Sequence, residues 1–458
     1  DGDAGTNGDG SVGFPYNTFA SINWDTGGTN SIDDWVTAGD DVYINLKGTF
    51  TSVLNVGSSG TSDHYITIQS YDTGATFTVV DDIAIITYTA ANGHAEYIII
   101  DNITISQALD RGIYLPGGSA TEARYIIIRN CSVNNVTSAT MAIGIEFRGT
   151  HVTIEDTTVD NIGIDCIYGE GANFTARRLT LTNFSQDSRG DGIQTIGDNH
   201  LVENCTIQSG SGVSPKQAII LKGDNCIIRY NFLEAESSGL VSTSTHSNVI
   251  YIEGSNCEIY GNNISKGTYG IYCSIVGVPN IKIFNNLIKD TPYVGIFAPV
   301  NGNIFINNNT IMNCEGNTDG RGQGLRISKD TNDEFSIYNN IIYNTVQPLY
   351  YYGAGTGNIN RDYNIMNTYD TAPSGSLGSN SSTDDPLLNS DGTLQASSPA
   401  LNGGTILSGY NDIGRLDYWG NSADNTPNIG GDLGSGQNTT SIDTGFNFNE
   451  SSYIVRII

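Results

Sequence analysis

The sequence predicts an all-β chain wound as a parallel β-solenoid, and three observations carry that expectation. A short phrase, Ile-x-Asn-x-x-Ile with variants, recurs at a period of about 25 residues. Apolar and polar residues alternate on either side of each copy, the period of a strand. The 458 residues include 55 Gly, and only 15% are charged. A charged fraction below the usual ~25% argues against long charged helices and coiled coils.

The copies begin at Ile100, Ile128, Ile154, Ala176, Val202, Ile228, Ile259, Ile283, Ile306 and Ile337, with a looser one at Ile359. Two residues upstream of these anchors stand Ile98, Ile126, Val152, Phe174, Cys226, Cys257, Ile281, Ile304 and Phe335. With a period of two they point the same way as the anchor, which is inward. Such a repeat is too short for a propeller blade and has no helical segment. Asn follows the anchor at Asn102, Asn130 and Asn204, and then at Asn231, Asn262, Asn286, Asn309 and Asn340. Asn tolerates left-handed backbone, and stacked amides can bond from coil to coil. The Asn column shifts by one residue between Asn204 and Asn231, which predicts a turn that changes shape there.

Composition excludes several partners. Twenty Lys plus Arg against 48 Asp plus Glu leave a formal charge of −28, which repels nucleic-acid backbones. No apolar run reaches the ~18–20 residues of a membrane span. The seven cysteines (Cys131, Cys166, Cys205, Cys226, Cys257, Cys273 and Cys314) show no CxxC or zinc-ligand spacing, and are expected as small buried hydrophobes. The chain opens at Asp1 without an apolar leader, so a signal peptide is expected to have been removed already.

These residues resemble the right-handed parallel β-helix proteins of the pectate-lyase-like superfamily. Gly39-Asp-Asp-Val-Tyr-Ile44, Gly48-Thr-Phe50 and Ile66-Thr-Ile68 look like first coils. Asp385-Pro-Leu-Leu, Ser398-Pro-Ala-Leu-Asn402, Asp412-Ile-Gly414 and Asn428-Ile-Gly430 are similar to the terminal segment of secreted members. The resemblance implies an extracellular or cell-surface protein acting on polysaccharide. The expected organisation is an entry cap over residues 1–40, a rod of about 12–13 coils over 41–366 at ~4.8 Å per coil, and a loop-rich cap over 367–458. The superfamily hosts lyases, hydrolases, epimerases, adhesins and tailspikes, so fold does not fix activity.

The candidate site lies on one outer sheet face. Aligning each coil on Gly-Ile, from Gly112-Ile113 through Gly144-Ile145, Gly163-Ile164 and Gly192-Ile193 to Gly324-Leu325, makes the following residue point outward. That column reads Tyr114, Glu146, Asp165, Gln194, Ile220, Tyr251, Tyr272, Phe297 and Arg326. Its first half is acidic and polar, beside Arg148, Arg189, Asp191 and Lys222. Its second half, Tyr251, Tyr272 and Phe297, is expected to be a flat aromatic ladder for stacking on sugar rings. Arg326 ends the column as a further substrate contact.

Two chemistries compete. In a glycoside hydrolase, Asp165 with Glu146 or Asp191 would supply acid and base or nucleophile, because carboxylates held close favour one protonated partner. Gln194, Arg148 and Arg189 would orient the sugar. In a polysaccharide lyase, Lys222 would abstract the proton beside a uronate carboxyl, with calcium held by Asp165 and Asp191. No cofactor is otherwise required. The contrasting expectation is a non-catalytic adhesin, fibre or filament subunit, self-associating through rod ends such as the apolar strand Tyr453-Ile-Val-Arg-Ile-Ile458. His200 falls in an inward column and reads as structural.

Overall fold

The computed structural model describes residues 39–405 apart from short stretches, of which 88–94, 118–122, 186–189, 211–215, 236–246, 275–279, 317–321, 329–333 and 353–356 are the longest; beyond these limits it describes only isolated positions. The motifs at 412–414 and 428–429 and the terminal strand at 453–458 lie outside the described residues. Within them the chain is a parallel β-helix. Each coil contributes to three stacks of strands. The first runs from Val42–Phe50 to Asn358–Asp362 and holds thirteen strands among the described residues, each paired in parallel with the next. The second includes Ile103–Ala108, Ser132–Val136 and Thr158–Ile162 and ends at Ile365–Tyr369. The third runs through Arg111–Leu115, Ile143–Glu155, Ile167–Glu170 and Gly190–Ile196 to Gln347–Tyr352.

The inward Ile columns do what their period demands. Ile98, Ile126, Val152, Phe174, Ile281, Ile304 and Phe335 are fully buried, as are the anchors Ile100, Ile128 and Ile154. The seven cysteines are buried free thiols, and burial pushes Cys131 and Cys205 up to about 12, so they act as apolar filler.

Between the first and second stacks the backbone turns through one left-handed residue per coil. Asn102, Asn130, Asp156, Arg178, Asn204, Tyr230, Gly261, Asn285, Asn308, Asn339 and Tyr363 all have positive φ, between 50° and 64°. This turn keeps its shape along the rod, which corrects the expectation of a change near Asn231. What changes is the residue after it. That inward position holds Cys131, Thr157, Leu179 and Cys205 in the first half, and Asn231, Asn262, Asn286, Asn309, Asn340 and Asn364 in the second.

The six Asn form a buried amide ladder. Asn262 Nδ2 donates to Asn286 Oδ1 at 3.0 Å and to Ile228 O at 3.0 Å. Asn286 Nδ2 repeats the pattern to Asn309 Oδ1 at 3.0 Å and Ile259 O at 2.9 Å. Each Oδ1 also accepts the backbone N–H of the preceding rung, as Asn309 Oδ1 does from Asn286 N at 3.1 Å. Buried polar groups persist only when satisfied, and here every rung satisfies its neighbour.

The outer face of the second stack divides at the same place. Its register line reads Thr104, Ser132, Thr158, Thr180 and Thr206 in the first half. Later it becomes Leu287, Thr310, Ile341 and Ile365. The later residues are buried because the C-terminal segment returns along the rod: Ala400, Leu388 and Leu394 pack with Ile341, Ile365 and Tyr343. Thr405 N donates to Asn339 Oδ1 at 2.9 Å, and Asn339 Nδ2 donates back to Thr405 O at 2.9 Å.

Candidate active site

The third stack carries the candidate site on its outer face. Its central register line is Tyr114, Glu146, Tyr168, Gln194, Ile220, Tyr251, Tyr272, Phe297, Arg326 and Tyr350. Tyr168, not Asp165, therefore stands between Glu146 and Gln194. The inward residue of that coil is Ile167, which pairs with Ile145 and Ile193, and Gly163-Ile164 mimics the Gly-Ile signature without holding its place. The informative signal was Asp165-Cys-Ile167 and Asp191-Gly-Ile193, the same phrase one coil apart.

Asp165 and Asp191 instead lie on a neighbouring line that continues through Gln217, Asn248 and Tyr269. Two glycines flank Asp191 where the adjacent coils leave no room for a side chain. A Cβ on Gly190 would meet Ile164 O at 2.2 Å, and one on Gly192 would meet the Ile207 side chain at 2.4 Å. Asp165 is 6% exposed and Asp191 8%. Asp165 Oδ1 accepts from Asp191 N at 2.7 Å, and Asp191 Oδ1 accepts from Gln217 N at 3.2 Å. Burial pushes Asp165 up to about 7, with the Glu146 charge adding to the rise and the Asp191 N–H opposing it. Asp191 is held well above the ordinary carboxylate range by burial first and by Asp165 second, against the pull of the Gln217 N–H and Lys222.

Glu146, 1% exposed, is enclosed by cations. Arg111 Nε donates to it directly, and Arg148 Nε lies 3.4 Å away. Arg111 also lies over the Tyr114 ring, 4.6 Å from its centroid. Tyr168 donates its hydroxyl to Glu170 Oε1 at 2.8 Å. Sequence reasoning missed Arg111, Tyr168, Glu170, Gln217 and Asn248; Tyr168, Glu170 and Gln217 are the one-coil register partners of Glu146, Arg148 and Asp191. Lys222 is an exposed side chain, 38%, paired with Glu253 at 3.8 Å. Arg189 lies outside the described residues.

The aromatic half is built differently from the expected flat ladder. Tyr272 stacks on Phe297 at 5.0 Å and 20°, Tyr269 on Phe297 at 5.5 Å and 18°, and Tyr251 meets Tyr272 edge-on at 85°. Arg326 covers the far side of Phe297 at 4.9 Å. Tyr269, Tyr272 and Phe297 turn their faces on each other, because the coil spacing of ~4.8 Å matches the distance at which rings stack. In these three, edges and hydroxyls, rather than stacked faces, are left for a ligand.

For calcium, the residues offer two carboxylates, each with one oxygen already taken by a backbone N–H. Among the described residues no three His, Cys, Asp or Glu side chains converge as a metal site. Calcium prefers six to eight oxygens, so this donor set does not fit a protein-held ion. No helix among the described residues is long and apolar enough to cross a membrane.

No curated protein sequence matches the chain. Among solved structures, the Dettilon tailspike protein is 15% identical, with 65% of this chain and 63% of that one covered and a TM-score of 0.43, so the chain spans less than two thirds of the tailspike's length. A mannuronic acid specific polysaccharide family 6 lyase from human gut microbiota is 13% identical, with 78% and 86% covered and a TM-score of 0.45. The GH87 α-1,3-glucanase catalytic unit from Streptomyces thermodiastaticus strain HF3-3 is 14% identical, with 75% and 66% covered and a TM-score of 0.43. The family model described as a right handed beta helix region matches residues 142–296, which hold Glu146, Asp165 and Asp191, and the coils described above are those of a right-handed parallel β-helix.

Proposed function

We propose that this protein hydrolyses glycosidic bonds in an extracellular polysaccharide laid along the third stack, with Asp165 and Asp191 as its catalytic pair. The observation that carries the proposal is the pairing of two buried carboxyls that share one bond line and both resist ionisation. A pair so placed retains one proton near neutral pH, which a general acid must do, while its other member can be the anion. The shorter backbone bond, 2.7 Å to Asp165 against 3.2 Å to Asp191, favours the anion on Asp165. Asp191 then donates its proton to the departing glycosidic oxygen. Asp165 takes a proton from the water that adds to the anomeric carbon as the carbon–oxygen bond breaks. Glu146, locked between Arg111 and Arg148, orients this wall and keeps both guanidiniums beside the sugar hydroxyls. Gln194, one coil from Tyr168, offers amide contacts to the same hydroxyls.

The pairing of Lys222 with Glu253 supports an ion-pair role for that lysine over a proton-abstracting one. Incubation with a panel of neutral and uronate polysaccharides, with and without EDTA, separates the chemistries. New reducing ends without ultraviolet absorbance from unsaturated uronates are expected, insensitive to EDTA and retained in Lys222→Met. Unsaturated products that vanish in Lys222→Met would replace hydrolysis by elimination. Absence of any cleavage across the panel would leave the non-catalytic rod as the better account.

A further inference from the structure

A second constellation lies on the first stack, away from the carboxyl pair. At the turn from the third stack into the first, one residue per coil again has left-handed backbone: Tyr97 (φ 55°), Tyr125 (55°), His151 (57°), Asn173 (61°), Asn199 (62°) and Asn225 (59°). Asn and His visit this region at low cost, whereas a Tyr there is an outlier, at roughly 1–2 kcal/mol. Two successive coils, those of Tyr97 and Tyr125, accept that strain, and the following coils avoid it with His151 and then Asn. Strained positions of this kind concentrate at ligand clamps, and the inference runs from the outlier to a function.

Of these turn residues, Tyr125, His151, Asn173 and Asn199 border a groove of about 390 Å³. Its rim is Tyr65, Tyr125, His151, Asn173 and Asn199, and its floor is Ile127, Thr153 and Thr175. The floor residues are register partners on adjacent strands, so they step along the rod at the coil spacing of ~4.8 Å. Tyr125 is 36% exposed, although Tyr97 stacks on one face at 4.8 Å and His151 on the other at 4.7 Å. Asn173 Nδ2 donates to His151 Nε2 at 3.3 Å, which fixes that ring against the rim. The stacked pair is thus a rigid wall with its edges and a hydroxyl turned outward. The lining contains no Asp, Glu, Lys or Arg.

We propose that this groove binds a neutral polysaccharide chain running along the rod, as a non-catalytic site distinct from the third stack. The methyl groups of Ile127, Thr153 and Thr175 suit the apolar C–H face of a sugar ring. The hydroxyls, ring nitrogens and amides of the rim suit its hydroxyls, each able to donate or accept. An anionic chain would find no cation in the lining and would meet a protein of net charge −28.

The test is affinity electrophoresis of the full chain in gels holding galactomannan, xylan or mixed-linkage β-glucan, with alginate and polygalacturonate as anionic controls. The substitution is Tyr125→Asn with His151→Asn, which installs the residue that later coils use at this turn. Retardation by at least one neutral polymer is expected, with affinity falling about tenfold or more in the double variant while its melting temperature holds or rises. Thr175→Arg, which fills the floor without touching the turn, is expected to lose binding likewise. Asp165→Asn, which disables the proposed hydrolysis, is expected to bind as the parent does, so failure of one site is readable apart from the other. No retardation by any neutral polymer, or undiminished retardation in both groove variants, would overturn the proposal.

Discussion

The two halves of the rod share one backbone and spend it differently. Up to Cys205, the residue after each left-handed turn is an Ile, a thiol, a Thr or a Leu; from Asn231 on it is a ladder of mutually bonded amides. On the third stack the first half carries Glu146, Asp165 and Asp191, whereas the second carries the self-packed rings of Tyr269, Tyr272 and Phe297. On the second stack, Thr and Ser face outward first, and Leu and Ile later, under the returning C-terminal segment. A solenoid's stability is a sum over coils and their interfaces. It follows that one end can hold destabilised carboxyls while the other supplies ordered packing.

The contrast can be broken from the strong half first. Asn286→Leu strips acceptors from Asn262 N and Nδ2 and a donor from Ile259 O. A loss of about 4 kcal/mol is expected, since each buried group left unpaired costs ~1–3 kcal/mol. Urea unfolding, with hydrogen exchange at Asn262 and Asn309 to localise the damage, measures it.

Asp165→Asn attacks the other half and is expected to move two readouts in opposite directions. Activity should fall about a hundredfold or more, the usual worth of a proton-transfer group. Stability should rise at neutral pH. The side chain ordinarily titrates near 3.8 and is held at about 7 in the fold, so the folded protein binds the extra proton across that window. Its contribution to stability is complete below 3.8 and lost as pH rises through about 7. The Asn variant keeps the oxygen that accepts from Asp191 N and never ionises, so its advantage in melting temperature should be largest above pH 7 and shrink toward pH 4. An advantage growing on acidification would contradict the placement of Asp165.

Tyr272→Ala is expected to cost about 2 kcal/mol by removing a ring stacked on Phe297 and Tyr269. Cleavage kinetics should change less than in Asp165→Asn, because these ring faces serve the fold. The smallest effect should come from Cys205→Ala, about 1 kcal/mol by thermal melting, because its backbone N–H to Asn231 Oδ1 survives.

The core and the left-handed turns were legible because each is local: a period of two sets which side chain points inward, and Asn102 or Asn130 marks a backbone that few other residues adopt. The site was half legible. Glu146, Asp165 and Asp191 could be singled out as carboxylates near one face. Gly163-Ile164 carries the local signature of a strand start without its register, so alignment on it sets Asp165 in a column that belongs to Tyr168. The ring column was legible as Tyr251, Tyr272 and Phe297, but not the orientation that stacks Tyr272 on Phe297.

By itself, then, the sequence determined that the chain coils, which residues line its interior, and that acids and rings occupy separate ends of one face, since strand periodicity and turn chemistry act between near neighbours. Only the tertiary structure decided which residue of one coil lies against which of the next. Coil lengths vary from 22 to 31 residues between anchors, so register is set by hydrogen bonds between strands far apart in sequence. Those pairings bring Asp165 to Asp191, Arg111 to Glu146, and Tyr125 to His151.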